Sequence, residues 1–71
     1  MPNYCVNKNK DNKGDHEVHN LDLHKGCLPN PENRYSLGYH ASCRSAVNSA
    51  RAHGYSPANG CRWCAPECHT S

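Results

Sequence analysis

The sequence predicts a small α+β domain in which a three-stranded antiparallel sheet, a hairpin plus one strand, packs against one α-helix. Two observations give the elements: short segments rich in β-forming residues fill the first half of the chain, and one segment with helical periodicity follows. A third observation concerns the core. The 71 residues include only seven Val and Leu and no Ile or Phe, but six Cys and six His. A domain this poor in large apolar side chains needs a covalent or metal crosslink.

The first two strands are predicted to form a β-hairpin. Tyr4-Cys5-Val6 and Glu17-Val18-His19 are short segments rich in β-forming residues. The segment between them, NKNKDNKGD, is a cluster of turn residues in which Gly14 permits a positive φ. The later segment HKGCLPNPEN contains two prolines that exclude a helix, so we expect a loop that carries Cys27.

The third strand is predicted from the segment RYSLGYH, residues 34–40. Tyr35, Leu37 and Tyr39 alternate there with Ser, Gly and His, which is the period-two pattern of a half-buried strand. We therefore expect the three large side chains to share one face of the sheet.

A single helix is predicted over CRSAVNSARAH, residues 43–53. Ser42 is a suitable N-cap, and Gly54 followed by Tyr55 fits a glycine C-terminal cap with an apolar contact. The helix is short and Ala-rich, so its narrow apolar face must pack on the sheet to be stable. We find no linker or repeat, and we predict one domain over residues 1–71.

The C-terminal segment contains the motif Cys61-x-x-Cys64. This spacing lets two thiolates bind one tetrahedral zinc ion at about 2.3 Å each. Structural zinc sites usually join two distant ligand pairs, and the region after the hairpin offers Cys27 with His19 or His24. We therefore predict one Zn²⁺ ion that joins the loop after the hairpin to a C-terminal Cys-x-x-Cys knuckle.

The other cysteines leave several alternatives open. Cys68 and His69 are candidates to extend the knuckle or to supply the fourth ligand, and Cys68 is also a candidate to pair with Cys43. Cys5 and Cys43 are interpreted as small core residues. A thiol redox protein or a disulfide framework is less favoured. Nothing in the first 30 residues resembles a signal peptide, since residues 1–13 contain no apolar run, and we therefore expect a cytoplasmic location, where thiols stay reduced.

One stretch of motifs resembles a known family. The order of motifs along the chain resembles that of the Ada-type metal-binding motif and of zinc modules appended to some nuclease-like proteins. The motifs are, in order, HEVH, CLPNPENR, LGY, the Ala-rich segment, Gly-Tyr and C-x-x-C-A-P. The chain also resembles small uncharacterised bacterial proteins that end in ECHTS. The resemblance covers most of the chain, and the ligands that it implies are His19 or His24, Cys27, Cys61 and Cys64.

The resemblance also bears on chemistry. In the Ada repair domain, the first ligand is a cysteine that accepts a methyl group from DNA phosphotriesters. Histidine occupies that position here, which disfavours sacrificial methyl transfer. The spacing along the sequence also differs from the family's. More residues separate His19 from Cys27 than separate the family's first two ligands, and slightly fewer separate His24 from Cys27.

The predicted function is that of a small structural-zinc module. A closed four-ligand site has no open position for substrate, so we expect neither enzymatic activity nor a small-molecule substrate. We expect instead a monomeric interaction or accessory domain, away from membranes, with an unknown protein or nucleic acid as its partner. DNA binding is the alternative function, although the net charge is only +2. Its candidate residues are basic side chains of the hairpin loop and the helix: Lys8, Lys10, Lys13, Arg44 and Arg51.

Overall fold

The structure is a computed structural model that describes residues 2–11, 13–23 and 26–69. It contains one α-helix, a mixed sheet and two short 3-10 helices, which confirms the predicted α+β class with a single helix. The strands are β1 (Asn3–Asn7), β2 (His16–Asn20), β3 (Arg34–Tyr39) and β4 (Ala58–Gly60); α1 is Cys43–Ala52, and the 3-10 helices are Pro31–Asn33 and Pro66–Cys68.

The sheet has four strands in the order β3-β1-β2-β4. The three predicted strands form and are antiparallel, but the prediction missed a fourth strand, which makes the sheet mixed. β1 is antiparallel to β2 and to β3, but β4 runs parallel to β2. The sequence of β4, Ala-Asn-Gly, has low β propensity and is typical of a turn. All three of its residues are buried, so packing rather than local preference makes this strand.

The hairpin forms as the sequence predicts. Cys5 lies opposite His19, and Val6 lies opposite Val18. In the hairpin loop, the Asp11 carboxylate accepts hydrogen bonds at 2.9 Å from two backbone amides of the same loop, and Gly14 has a φ of +84°. These interactions replace the ladder hydrogen bonds where the chain reverses.

A β-bulge in β3 breaks the predicted alternation. Tyr4 pairs with Gly38 and Cys5 pairs with Ser36, so Leu37 is the extra residue. Gly38 adopts a φ of +81°, which glycine tolerates better than other residues. Beyond the bulge the side chains change faces. Tyr39 is therefore 69% exposed rather than packed beside Tyr35 and Leu37.

Helix α1 has the caps that the sequence predicts. The Ser42 side chain accepts a hydrogen bond from the Ser45 amide at 3.5 Å. At the other end Gly54 has a φ of +90°, and the Gly54 and Tyr55 amides donate to the carbonyls of Arg51 and Ala50 at 3.1 and 3.0 Å. This pair of bonds is the Schellman motif, which ends a helix at glycine.

The core lies between the sheet and α1 and is built from small side chains. A disulfide between Cys43 and Cys68 joins the first residue of α1 to the last residue of the C-terminal 3-10 helix. The structure thus selects one alternative that the sequence leaves open. The buried cluster contains three Val, four Ala, one Tyr and Cys43: Tyr4, Val6, Val18, Cys43, Ala46, Val47, Ala50, Ala58 and Ala65.

Candidate metal centre

Four cysteine and histidine side chains from distant parts of the sequence converge at one end of β2. Their ligand atoms, one per residue, all lie within 4.8 Å of one another, a separation that fits one shared metal ion. Three are buried and one is partly exposed. They are the three cysteines predicted from the sequence and one of the candidates for the fourth ligand: His19, Cys27, Cys61 and Cys64.

The parallel pairing of β4 with β2 brings two of the ligands together. Val18 lies opposite Gly60, and the Cys61 amide donates to the Val18 carbonyl at 2.9 Å. This hydrogen bond extends the ladder by one residue and places Cys61 beside His19. β4, which the sequence did not predict, therefore has a direct role in building the site.

The Cys-x-x-Cys turn directs backbone amides at its sulfur atoms. The Trp63 amide donates to Cys61 Sγ at 3.4 Å, and the Asn20 amide donates to Cys64 Sγ at 3.3 Å. The Ala65 amide closes the turn by donating to the Cys61 carbonyl at 2.9 Å. Such N–H···S contacts stabilise thiolates and orient them toward a metal ion.

Cys27 reaches the site from the loop that precedes β3. Arg34, the first residue of β3, donates a hydrogen bond from Nε to the Pro29 carbonyl at 2.8 Å. This bond holds the loop against the sheet only two residues after Cys27. No pattern in the sequence indicates this role of Arg34, because the role depends on a contact between the loop and β3.

His19 presents its two ring nitrogens to different partners. Nδ1 lies 3.5 Å from Cys64 Sγ, and Nε2 lies 3.8 Å from Oε1 of Glu17. A carboxylate behind a histidine is a common way to orient a metal-binding imidazole. Burial and, to a smaller extent, the Arg34 guanidinium lower the pKa of His19 to about 4. The ring is therefore neutral at pH 7, with one nitrogen lone pair available to a metal.

Two thiols of the site, those of Cys27 and Cys64, hold their protons when no cation is present. Burial raises the pKa of Cys64 above its ordinary value, although the Asn20 amide opposes the shift, and burial also raises the pKa of Cys27. A zinc ion overcomes this effect, because it binds thiolates and displaces their protons. Zinc binding to the cluster should therefore release thiol protons to solvent.

The alternative ligands do not join the cluster in the part of the chain that the structure describes. His24 lies outside the described residues. Cys68 is bonded to Cys43, and His69 Nδ1 donates to the Gly60 carbonyl at 3.1 Å. Cys5 is fully buried opposite His19, and burial raises the pKa of its thiol to about 11, so it is a core thiol, as expected.

The basic residues proposed for nucleic-acid contact fall in different places. Arg44 and Arg51 line one open cleft beside α1. Lys13 lines a second cleft together with Asp11 and Glu17, while Lys8 and Lys10 are exposed in the hairpin loop. Acidic side chains thus accompany the lysine of the second cleft, as their interleaving in sequence suggests.

Comparison with known proteins adds no further constraint. The chain matches no family model, no curated protein and no solved structure. Among the residues that the structure describes, no helix has the length and hydropathy to cross a lipid bilayer.

Proposed function

We propose that the protein is a small zinc-binding module in which a single Zn²⁺ ion, held by His19, Cys27, Cys61 and Cys64, stabilises the fold. One observation carries the proposal: four ligand atoms from three separate segments of the chain lie within 4.8 Å of one another. Three cysteines and one histidine from distant segments form a known ligand set of structural zinc sites.

The donor set favours zinc over other biological cations. Three sulfur atoms and one imidazole nitrogen form a common structural zinc site, whereas calcium and magnesium prefer oxygen ligands. With four protein ligands, a tetrahedral ion has no open position for water or substrate. The bound ion would therefore act as a crosslink and charge centre rather than as a catalyst.

The energy of such a crosslink is large relative to the rest of this fold. A domain of 71 residues is typically stable by about 4–11 kcal/mol, and structural zinc contributes on the order of 10–16 kcal/mol. The largest aliphatic side chains in the buried cluster are three valines. The zinc ion thus supplies stability that the small core cannot provide.

The surrounding charges suit a zinc site of this composition. Three thiolates and one Zn²⁺ ion leave a net charge of −1 (−3 + 2). Burial lowers the pKa of His19 and raises the pKa of Cys5; the Arg34 guanidinium adds to the first shift and opposes the second. Arg34 is therefore close enough for its positive charge to offset the charge of the site. Glu17 supports the histidine from the other side of the ring.

We propose an interaction or accessory role for the module rather than an enzymatic one. Trp63 lies between two ligands of the knuckle and is 62% exposed, with the Arg62 guanidinium 5.3 Å from its ring centroid. Exposed Trp and Arg are the side chains that most often dominate protein interfaces. We also propose a relationship to Ada-type metal-binding domains, on the shared order of motifs, without the methyl-transfer chemistry.

Two alanine variants test the zinc proposal. Cys64→Ala removes a ligand, and Cys5→Ala removes an equally buried thiol outside the cluster. We expect native mass spectrometry to find one zinc in the wild type and in Cys5→Ala, which should lose about 1–2 kcal/mol of stability. Cys64→Ala should lose both zinc and fold. A Cys64→Ala protein that binds zinc as tightly as Cys5→Ala would refute the proposed ligand set.

A further inference from the structure

The Cys43–Cys68 disulfide is asymmetric in its surroundings. Cys43 is 4% exposed and is the first residue of α1, whereas Cys68 is partly exposed at the end of the C-terminal 3-10 helix. An attacking thiolate must approach a sulfur from the side opposite the bond that breaks. Exposure therefore favours attack on Cys68, with Cys43 as the leaving group.

Cys43 is placed to leave as a thiolate. The N-terminus of a helix carries a partial positive charge that lowers the pKa of a cysteine there, and the first turn of α1 contains no acidic residue. A thiol of lower pKa leaves faster in disulfide exchange. One group opposes this effect: Glu67 Oε2 lies 3.8 Å from Cys43 Sγ.

An open cleft of about 410 Å³ gives access to the Cys68 side of the bond. Three of its lining residues, at positions 44, 48 and 51, recur at the spacing of one helix face, and two of them are arginines. The opposite wall comes from β4 and the C-terminal 3-10 helix. The polar and sulfur-containing residues around the cleft are Arg44, Asn48, Arg51, Asn59, Glu67 and Cys68.

The charged side chains of the cleft determine which kind of reactant it attracts. Two guanidinium groups face one carboxylate, so the cleft has a net positive charge and favours an anionic partner. Its volume lies at the low end of small-molecule sites, which suits a peptide-sized thiol better than a protein domain. Arginine binds carboxylates in particular through paired hydrogen bonds.

We propose that this cleft is a binding site for a low-molecular-weight thiol bearing carboxylates, and that such a thiol reduces the Cys43–Cys68 disulfide by attack on Cys68. The reactant thiolate forms a bond to Cys68 Sγ while the bond between the two protein sulfurs breaks. The electron pair of that bond stays on Cys43 Sγ, which then takes a proton from solvent. A second thiolate attacks the reactant's sulfur and releases Cys68. Two thiols thereby become one small disulfide, and the protein disulfide becomes two thiols.

The test measures rates of disulfide reduction in the zinc-loaded protein, residues 1–71. Reduced glutathione, with a net charge of about −1 at pH 7 from its ordinary pKa values, is compared with the neutral thiol 2-mercaptoethanol. Samples are quenched by alkylation, and peptide mapping follows Cys43 and Cys68. The readout is the rate with glutathione divided by the rate with 2-mercaptoethanol. A variant that changes how readily Cys43 leaves alters both rates by the same factor, so this effect cancels in the ratio.

The Arg44→Gln, Arg51→Gln double variant should lower this ratio by about four-fold at low ionic strength, since two charges near the site are lost. The matched control is Arg62→Gln, which removes an exposed arginine that stacks on Trp63, and it should leave the ratio unchanged. An unchanged ratio in the double variant, or an equal fall in the control, would overturn the proposed binding site.

Two further outcomes test the direction of attack. When the reaction is trapped early, the glutathione adduct should map to Cys68, and an adduct mainly on Cys43 would contradict the proposal. Glu67→Gln should raise the rate with glutathione, because it removes a carboxylate 3.8 Å from the departing Cys43 sulfur. A lower rate in that variant would show that Glu67 promotes the reaction, contrary to the proposed role.

Discussion

Replacement of Gly60 by alanine should damage both the fold and the metal centre. A Cβ atom at this position would lie 2.6 Å from Cys68 Cβ, 2.8 Å from the Ala65 carbonyl oxygen and 2.8 Å from the Cys68 carbonyl carbon. Gly60 does not have a positive φ, so space rather than backbone conformation requires glycine here. The substitution therefore tests the close contact between β4 and the C-terminal 3-10 helix.

The expected cost follows from the size of the overlap and the stiffness of the neighbours. Two of the three contacts are with backbone atoms, and the Cys68 side chain is fixed by its disulfide. No flexible side chain is available to move aside, so we expect about 3 kcal/mol, the upper part of the usual range for overpacking. For a domain of this size that loss lowers Tm by about 12–24 °C. Zinc binding should also weaken, because Cys61 follows Gly60 directly.

Gly54→Ala is the matched control. Gly54 has a φ of +90° but nothing lies within 4 Å of an added Cβ atom. The control should lose only about 1–2 kcal/mol, from backbone strain at the end of α1, and should keep its zinc affinity. Thermal unfolding and competition with a zinc-binding dye measure the two effects. If Gly60→Ala is as stable as Gly54→Ala and binds zinc normally, then β4 and the 3-10 helix do not pack as closely at Gly60 as the structure describes.

Three other predictions concern the surroundings of the cluster. Glu17→Gln should weaken zinc binding by about ten-fold, because it removes the carboxylate behind His19, whereas the exposed Glu32→Gln control should not; equal affinities in a dye competition would contradict this role. Arg34→Gln should also weaken zinc binding, since it loses both the hydrogen bond to the Pro29 carbonyl and a positive charge near the site. An unchanged zinc affinity would show that Arg34 does not stabilise the site. Burial raises the pKa of Cys5 from 9.0 to about 11, so protonated Cys5 favours the folded state below pH 9 and that stability is lost as pH rises toward 11. Urea unfolding of the zinc-loaded protein should show a loss of about 2–3 kcal/mol over this interval, and Cys5→Ala should show a smaller loss; equal losses would rule out Cys5 as the source.

Local signals in the sequence were sufficient to predict much of the fold. The ends of α1 depend on neighbouring residues, Ser42 at the start and Gly54 with Tyr55 at the end, and these caps form as predicted. The hairpin likewise depends on β-forming segments on either side of a turn cluster. For the candidate metal centre, the Cys-x-x-Cys spacing and the resemblance named Cys27, Cys61 and Cys64 but left the histidine open between His19 and His24. The structure brings His19 together with the three cysteines.

Features that depend on distant contacts were not predicted. β4 has a turn-like sequence, and only its packing between β2, α1 and the C-terminal 3-10 helix makes it a strand. The bulge at Leu37 changes the face of Tyr39, because one extra residue in β3 shifts the alternation. Sequence reasoning could offer Cys43 and Cys68 as a pair but could not choose it, since the two residues lie 25 positions apart.

Removal of zinc from the oxidised protein tests the central proposal most directly. The sample keeps its Cys43–Cys68 disulfide, a strong chelator strips the metal at pH 7, and two-dimensional amide NMR spectra are recorded before and after. We expect the dispersed spectrum of the zinc-loaded protein to collapse toward that of an unfolded chain, and to recover when one equivalent of zinc is added. A dispersed, unchanged spectrum in the metal-free protein would show that the fold does not depend on zinc and would contradict the proposed function.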